Sequence, residues 1–439
     1  MNQLKIFIFH KILLKITSSK HKYLIMNKLT LFLIFIATPL SAQDKYTLFR
    51  SSRVFDGEIL HNNWQVLVKN QRIEAVGEKL TFPSNTEIID IPNSTLLPGL
   101  IEGHSHLLLH PYNETSWDDQ VLRESRAERI ARATVHARKT LLAGFTTVRD
   151  LGTEGADYDD VGLKTAIEKG IIIGPRMFVA GRALVASGSY GPKGFHSEIT
   201  VPQGAEEADG VDNLTKSVRT QIGKGADVIK IYADYRWGLM KDAQPTFLQE
   251  EIELIVKVAQ SSGRQVVAHA STPEGMRRAI MGGVSTIEHG DNGTLEIFKL
   301  MKEKGVCLCP TLAAGDAVSQ YKGWKKGTEP EPERIQEKRK TFKMAMDLDV
   351  RICMGGDVGV FPHGDNAREM EIMVQYGMKP IDVLRSSTFI NAESFKIKDL
   401  GIIKKGFLAD ILIVEGNPAE QISDIRKVKI VMKDGVVIR

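Results

Sequence analysis

From about residue 96 onward, short apolar runs alternate with longer amphipathic stretches. Eight runs have the length and β-branched content of strands: 96–102, 145–149, 176–180, 227–232, 265–269, 284–289, 306–310 and 350–355. Between them, apolar residues recur at helical spacing in 121–142, 246–261, 274–281, 295–304 and 333–346. Eight strand-then-helix units within about 300 residues are what a (β/α)8 TIM barrel requires. The flanks have a different rhythm. Short alternating strands with turn residues fill 43–95 and 405–439, as in Trp64-Gln65-Val66-Leu67-Val68 and Lys427-Val428-Lys429-Ile430-Val431-Met432. The pattern predicts an α/β chain in three parts: a leader over 1–42, a barrel over 96–404, and a small β-sandwich domain built from both flanks.

The leader changes how the charge is read. Residues 1–42 hold six lysines and no acidic residue, and Met26-Asn27-Lys28 precedes an apolar run from Leu29 to Ile36 and then Ala37-Thr38-Pro39-Leu40-Ser41-Ala42. This is the layout of a secretory signal, with Met26 read as the start and Ala42 as the last residue removed. The apolar run is short for a membrane span, so an exported periplasmic or secreted protein without a permanent anchor is expected. Without those six lysines the formal charge of +4 becomes −2, and the basic balance gives no reason to expect a nucleic-acid partner. The three cysteines, Cys307, Cys309 and Cys353, lie in apolar runs and read as buried thiols.

Candidate chemistry collects at the strand ends. In a strand, residues two apart share a face, so His104-Ser105-His106 after Leu96–Ile101 presents two imidazoles side by side. The later runs end in Lys230, His269, His289 and Asp357. In a barrel, catalytic residues occupy these carboxyl ends, and a run of buried polar groups there is costly unless each has a partner. Tyr232 shares the strand face of Lys230. His110, His136 and the pair Arg149-Asp150 read as structural, the last as an ion pair at the barrel mouth.

Several segments carry a family likeness: Leu97-Pro98-Gly99-Leu100-Ile101-Glu102-Gly103-His104-Ser105-His106, Val228-Ile229-Lys230-Ile231-Tyr232, Val267-Ala268-His269-Ala270, Ile287-Glu288-His289-Gly290 and Gly355-Gly356-Asp357. Together with Gly406-Phe407-Leu408-Ala409-Asp410-Ile411, they resemble the metal-dependent amidohydrolase superfamily, in its imidazolonepropionase and Xaa-Pro dipeptidase-like branch. The resemblance implies two divalent metal ions. His104, His106 and Asp357 would hold one, His269 and His289 the other, and Lys230 carboxylated by CO2 would bridge them. Imidazole with carboxylate suits Zn²⁺, and Mn²⁺ or Co²⁺ also fit these donors. Asp357 would shuttle a proton and Tyr232 would stabilise the oxyanion during amide cleavage.

The resemblance further implies small-molecule substrates, dipeptides or N-acyl amino acids with a free carboxylate, and a homo-oligomer. Candidate substrate contacts are Arg236 after the fourth strand, His363 and Arg368 after Asp357, and Tyr190 and His196 in the glycine-rich loop 181–213. The alternatives are hydrolysis of an imidazolone-like cyclic amide, a mononuclear deaminase, or a metal-free scaffold. Lys230 weighs against the deaminase, and the complete ligand set against the scaffold.

Overall fold

Glu87–Pro98 is a strand of 12 residues, long enough to serve both chain ends. It pairs in parallel with Tyr46–Phe55 and antiparallel with Ile411–Glu415, so that Leu412 faces Leu97 and Ile413 faces Leu96. The remaining terminal strands continue this ladder into one eight-stranded sheet. The sandwich expected from the sequence is therefore one continuous sheet, made from both chain ends. Its buried face centres on Phe49, Val66, Leu96, Ile411 and Ile413. The computed structural model describes residues 44–439 apart from Lys241, so the leader expected at 1–42 lies outside the described residues. Among the described residues, no helix is long and apolar enough to cross a membrane.

The chain leaves this sheet at Gly99. Pro98 ends the first ladder, and Leu100–Ser105 starts a second with new partners, dividing the run expected as one strand at 96–102. Leu100–Ser105, Phe145–Asp150 and Arg176–Val179 form one parallel set. Val228–Tyr232, Gln265–Ala270, Thr286–His289 and Cys307–Cys309 form the core of another. The two sets approach where Asp227 N–H donates to Val179 C=O at 2.8 Å. Intervening helices cover the outer faces, and Ile229, Ile231, Val266 and Ala268 join their apolar layer. Val228 and Val267 face the other way, against Leu151 and Ala180. Lys230, two residues from Val228, thus belongs to the inner face.

Two expectations need correction. Residues 121–142 are two helices, Trp117–Leu122 and Arg126–Leu142, because Ser125 accepts the Glu128 N–H and starts a new N-terminus. The strand expected over 350–355 is only a set of isolated bridges, Leu308 to Ile352 and Ser105 to Val358. Side chains supplement its few backbone bonds, such as Cys353 N–H to Leu308 C=O at 2.8 Å. Asn391 Nδ2 donates to the carbonyls of Ile101 and Met354 at 2.8 Å each, and Glu102 accepts the Gly356 N–H at 2.8 Å. Asp357 then turns at a positive φ of 61°.

This irregular segment lies hard against Gly103, where a Cβ would sit 2.5 Å from the Met354 carbonyl oxygen and 3.0 Å from the Phe395 ring. Gly103→Ala is expected to lower stability by about 1–3 kcal/mol through overpacking. Thermal unfolding would register this as a depressed Tm, and an unchanged Tm would show that the contact yields.

Candidate metal centre

His104 and His106 project from one strand end, with ring centroids 5.3 Å apart. Each has its Nδ1 committed. His106 Nδ1–H donates to Gly152 C=O at 2.8 Å, and His104 Nδ1–H to Glu288 Oε2 at 2.8 Å. Both Nε2 atoms consequently point to Asp357 Oδ1, at 3.6 Å from His104 and 3.3 Å from His106. This is the outer bonding that fixes metal-ligating imidazoles in one tautomer. Burial, and then Lys230, push His104 down to about 4. Burial also opposes the charged form of His106, but Asp357 outweighs it and raises His106 to about 9. Asp357 is held at about 2 despite its burial, by His104 and His106. A divalent cation among these three groups would take the place of the His106 proton.

The second pair lies alongside. His269 and His289 rings are 4.5 Å apart, and His289 is 5.1 Å from His104. His289 Nδ1 bonds Thr311 Oγ1 at 2.8 Å, and burial pushes both imidazoles down, His269 to about 3. His269 Nε2 lies 3.7 Å from Asp234 Oδ1, and a neutral imidazole keeps one ring nitrogen unprotonated for a cation. Lys230 is 1% exposed and forms no ion pair among the described residues. Burial lowers its amine, against the pull of Glu288, Asp357 and Glu154. The residues therefore fit the two-ion set that the sequence resemblance implies. His104, Glu288 and Cys309 also lie close together, but Glu288 is engaged by His104 and Arg149, and burial pushes the Cys309 thiol up.

A cavity of about 430 Å³ opens over these groups. Its walls include Tyr190 and Arg236, together with Tyr112, Glu154, Tyr235, Arg334 and Lys338. Tyr232 stacks on His269 at 4.7 Å, and its hydroxyl lies 3.3 Å from Glu154 Oε1. Three proposed contacts lie elsewhere. His363 stacks on His136 at 4.3 Å and bonds the Leu109 carbonyl, Arg368 is paired with Asp316, and His196 is exposed on its loop. Position in the loop after Asp357 does not bring His363 or Arg368 to the cavity.

Arg149 and Asp150 do not pair with each other either. As strand neighbours they face opposite ways. Arg149 Nη2 meets Glu288 Oε1 at 2.8 Å, whereas Asp150 Oδ2 accepts the Leu107 N–H at 2.7 Å. Glu288 was available to sequence reasoning as a lone charge inside an apolar strand. Glu154 left no such signal, because it lies in a turn.

Glu288 orients His104 without itself facing the cavity. Glu288→Gln is expected to weaken metal affinity about 10–100-fold, the usual cost of losing such an outer partner. Chelator competition would measure it; wild-type affinity would remove Glu288 from any role in the centre.

The chain is similar to several known hydrolases. The chain is 31% identical to a Xaa-Pro dipeptidase with bound methionine in its active site, covering 90% of this chain and all of that one at a TM-score of 0.80. It is 28% identical to a prolidase complexed with N-methylphosphonate-L-proline, with the same coverage and a TM-score of 0.79. Ochratoxinase of Aspergillus niger is 29% identical over 411 residues, spanning 86% of this chain and 82% of that protein. The signature of the amidohydrolase family matches residues 95–438, and the chain belongs to that family.

Proposed function

We propose that the protein is a binuclear metal-dependent hydrolase of amide bonds in dipeptides or N-acyl amino acids with a free carboxylate. The observation that carries this reading is Lys230, a buried amine without an ion-pair partner among the described residues, set among His104, His269 and His289. A neutral amine can attack CO2, forming the N–C bond of a carbamate and releasing one proton. The lysine ammonium has no lone pair to offer a cation, whereas the carbamate is a bidentate carboxylate. His104, His106 and Asp357 would hold one ion, His269 and His289 the second, with the Lys230 carbamate between them. Ions in this set, Zn²⁺ by donor type, supply a Lewis acid and a water of lowered pKa.

The chain's own residues do the rest. Asp357 stays ionised across the working pH range, accepts the attacking water's proton and passes it to the leaving nitrogen. Burial keeps the Tyr232 phenol protonated, so it remains a donor for the carbonyl oxygen as charge develops there. Arg236, at the cavity rim, donates to the Tyr235 hydroxyl at 3.2 Å and pairs with no carboxylate among the described residues. It suits a substrate carboxylate. Methionine and a phosphonylated proline, the molecules bound to two of the relatives, both carry one. In the same reading, the two parallel sets close into a (β/α)8 barrel with 350–358 in the eighth position, and the mature protein acts after export.

The direct test is a panel of dipeptides and N-acyl amino acids offered to protein loaded with Zn²⁺ and bicarbonate. Release of the C-terminal amino acid is expected, and a silent panel alongside an opened lactam would overturn the substrate class. Lys230→Ala is expected to lose bound metal and activity, with short-chain carboxylates restoring part of both; full retention would remove the bridge. Tyr232→Phe should lower kcat about 100-fold at unchanged metal content, the scale of losing one oxyanion donor.

A further inference from the structure

Glu154 is a charged side chain that the proposed chemistry leaves unused. It is 3% exposed, lines the metal-facing cavity, and has no ion-pair partner among the described residues. Its Oε2 is saturated, accepting Trp117 Nε1–H at 2.9 Å and the Tyr190 hydroxyl at 2.6 Å. Among the described residues, its Oε1 accepts only the Tyr232 hydroxyl, at 3.3 Å. A carboxylate offers about four lone-pair positions, so Oε1 has room for a strong donor. The backbone beneath is held firmly: Arg129 donates to the carbonyls of Glu154 and Thr153, each at 2.8 Å.

The walls around Oε1 are aromatic. The Tyr190 ring lies 4.6 Å from Tyr232, 4.8 Å from Tyr235 and 5.2 Å from Trp117. Ring faces attract cations, and a buried carboxylate among them calls for one. No lysine or arginine of the described chain comes within ion-pair distance of this carboxylate, and Arg129 and Lys230 act on it only at longer range, so Oε1 keeps a place for a ligand's cation.

We infer that Glu154, walled by Tyr190, Tyr232 and Tyr235, is the subsite for the substrate's α-ammonium group, so that dipeptides with a free amino end are preferred over N-acyl amino acids. The inference rests on the amide-hydrolase reading above and narrows its substrate class.

The test separates binding from turnover. A ketomethylene dipeptide isostere, which has no amide to cleave, would be titrated calorimetrically into the metal-loaded protein beside its N-acetylated form. The free amine is expected to bind at least tenfold more tightly, and Glu154→Gln to bring the ratio of the two affinities close to one. Equal affinities in the wild type would overturn the subsite without any variant. So would a Glu154→Gln protein that keeps the wild-type ratio. Failure of the amide-hydrolase reading would show separately, as absence of turnover on the dipeptide panel, while the affinity ratio still decides the subsite.

Discussion

Arg149 and Glu288 are buried together, 3% and 0% exposed, with 2.8 Å between Nη2 and Oε1. Around this pair three strands are locked in place. Arg149 Nε donates to the Gly103 carbonyl at 2.7 Å and Nη1 to Thr286 Oγ1 at 3.2 Å, while its guanidinium lies 3.8 Å over the Phe395 ring. The second oxygen of Glu288 receives the His104 proton. Buried ion pairs rarely add net stability over apolar residues of similar volume, but losing one partner costs about 3–5 kcal/mol because a bare charge remains. The worth of this pair is therefore positional. Arg149 keeps Glu288 ionised against its burial, and Glu288 keeps His104 in the tautomer that presents Nε2 to the cavity.

From that constraint the charge pattern of the centre follows. Burial favours the neutral form of every imidazole, and Lys230 and the neighbouring rings reinforce this for His104, His269 and His289. Only His106, facing Asp357, is pushed up. The inner face thus collects neutral nitrogen donors, one ionised carboxylate and an amine whose charge is disfavoured. Such a group of side chains is poorly satisfied by protein contacts alone and well satisfied by cations.

The sequence makes the inner face legible because strand periodicity is local. His104, His106, Tyr232, His269 and His289 line the cavity and Lys230 lies buried among them, and each could be placed by counting twos along an apolar run. What depends on tertiary contact could not be counted. Arg149 beside Asp150 looked like a pair, yet its partner is 139 residues away. His363 and Arg368 follow Asp357 closely, but a loop has no period, and their partners are Leu109 and Asp316. The run at 350–355 has the composition of a strand, yet its pairing breaks into isolated bridges, and Asn391 and Glu102, distant in sequence, bond in and beside it. Glu154 was silent for the same reason, since a turn residue declares no face.

This division between strands and loops is also a division of labour. Groups suited to hold ions and move protons stand on strand ends or, for Asp357, in a segment held by the His104 backbone, whose C=O accepts the Asp357 N–H at 2.9 Å. Groups suited to recognise a substrate come from connecting segments: Glu154 from a turn at positive φ, Tyr190 from the glycine-rich loop, and Arg236 from the stretch after Tyr232. Ladder hydrogen bonds fix the first set to its neighbours, so a change there disturbs several strands at once. The second set is tied mainly through side chains, as Tyr190 is to Glu154 and Arg236 to Tyr235. Loops tolerate substitution far better than the elements they join. The loop side chains can therefore change without moving the centre, as one fold can host sites of different specificity.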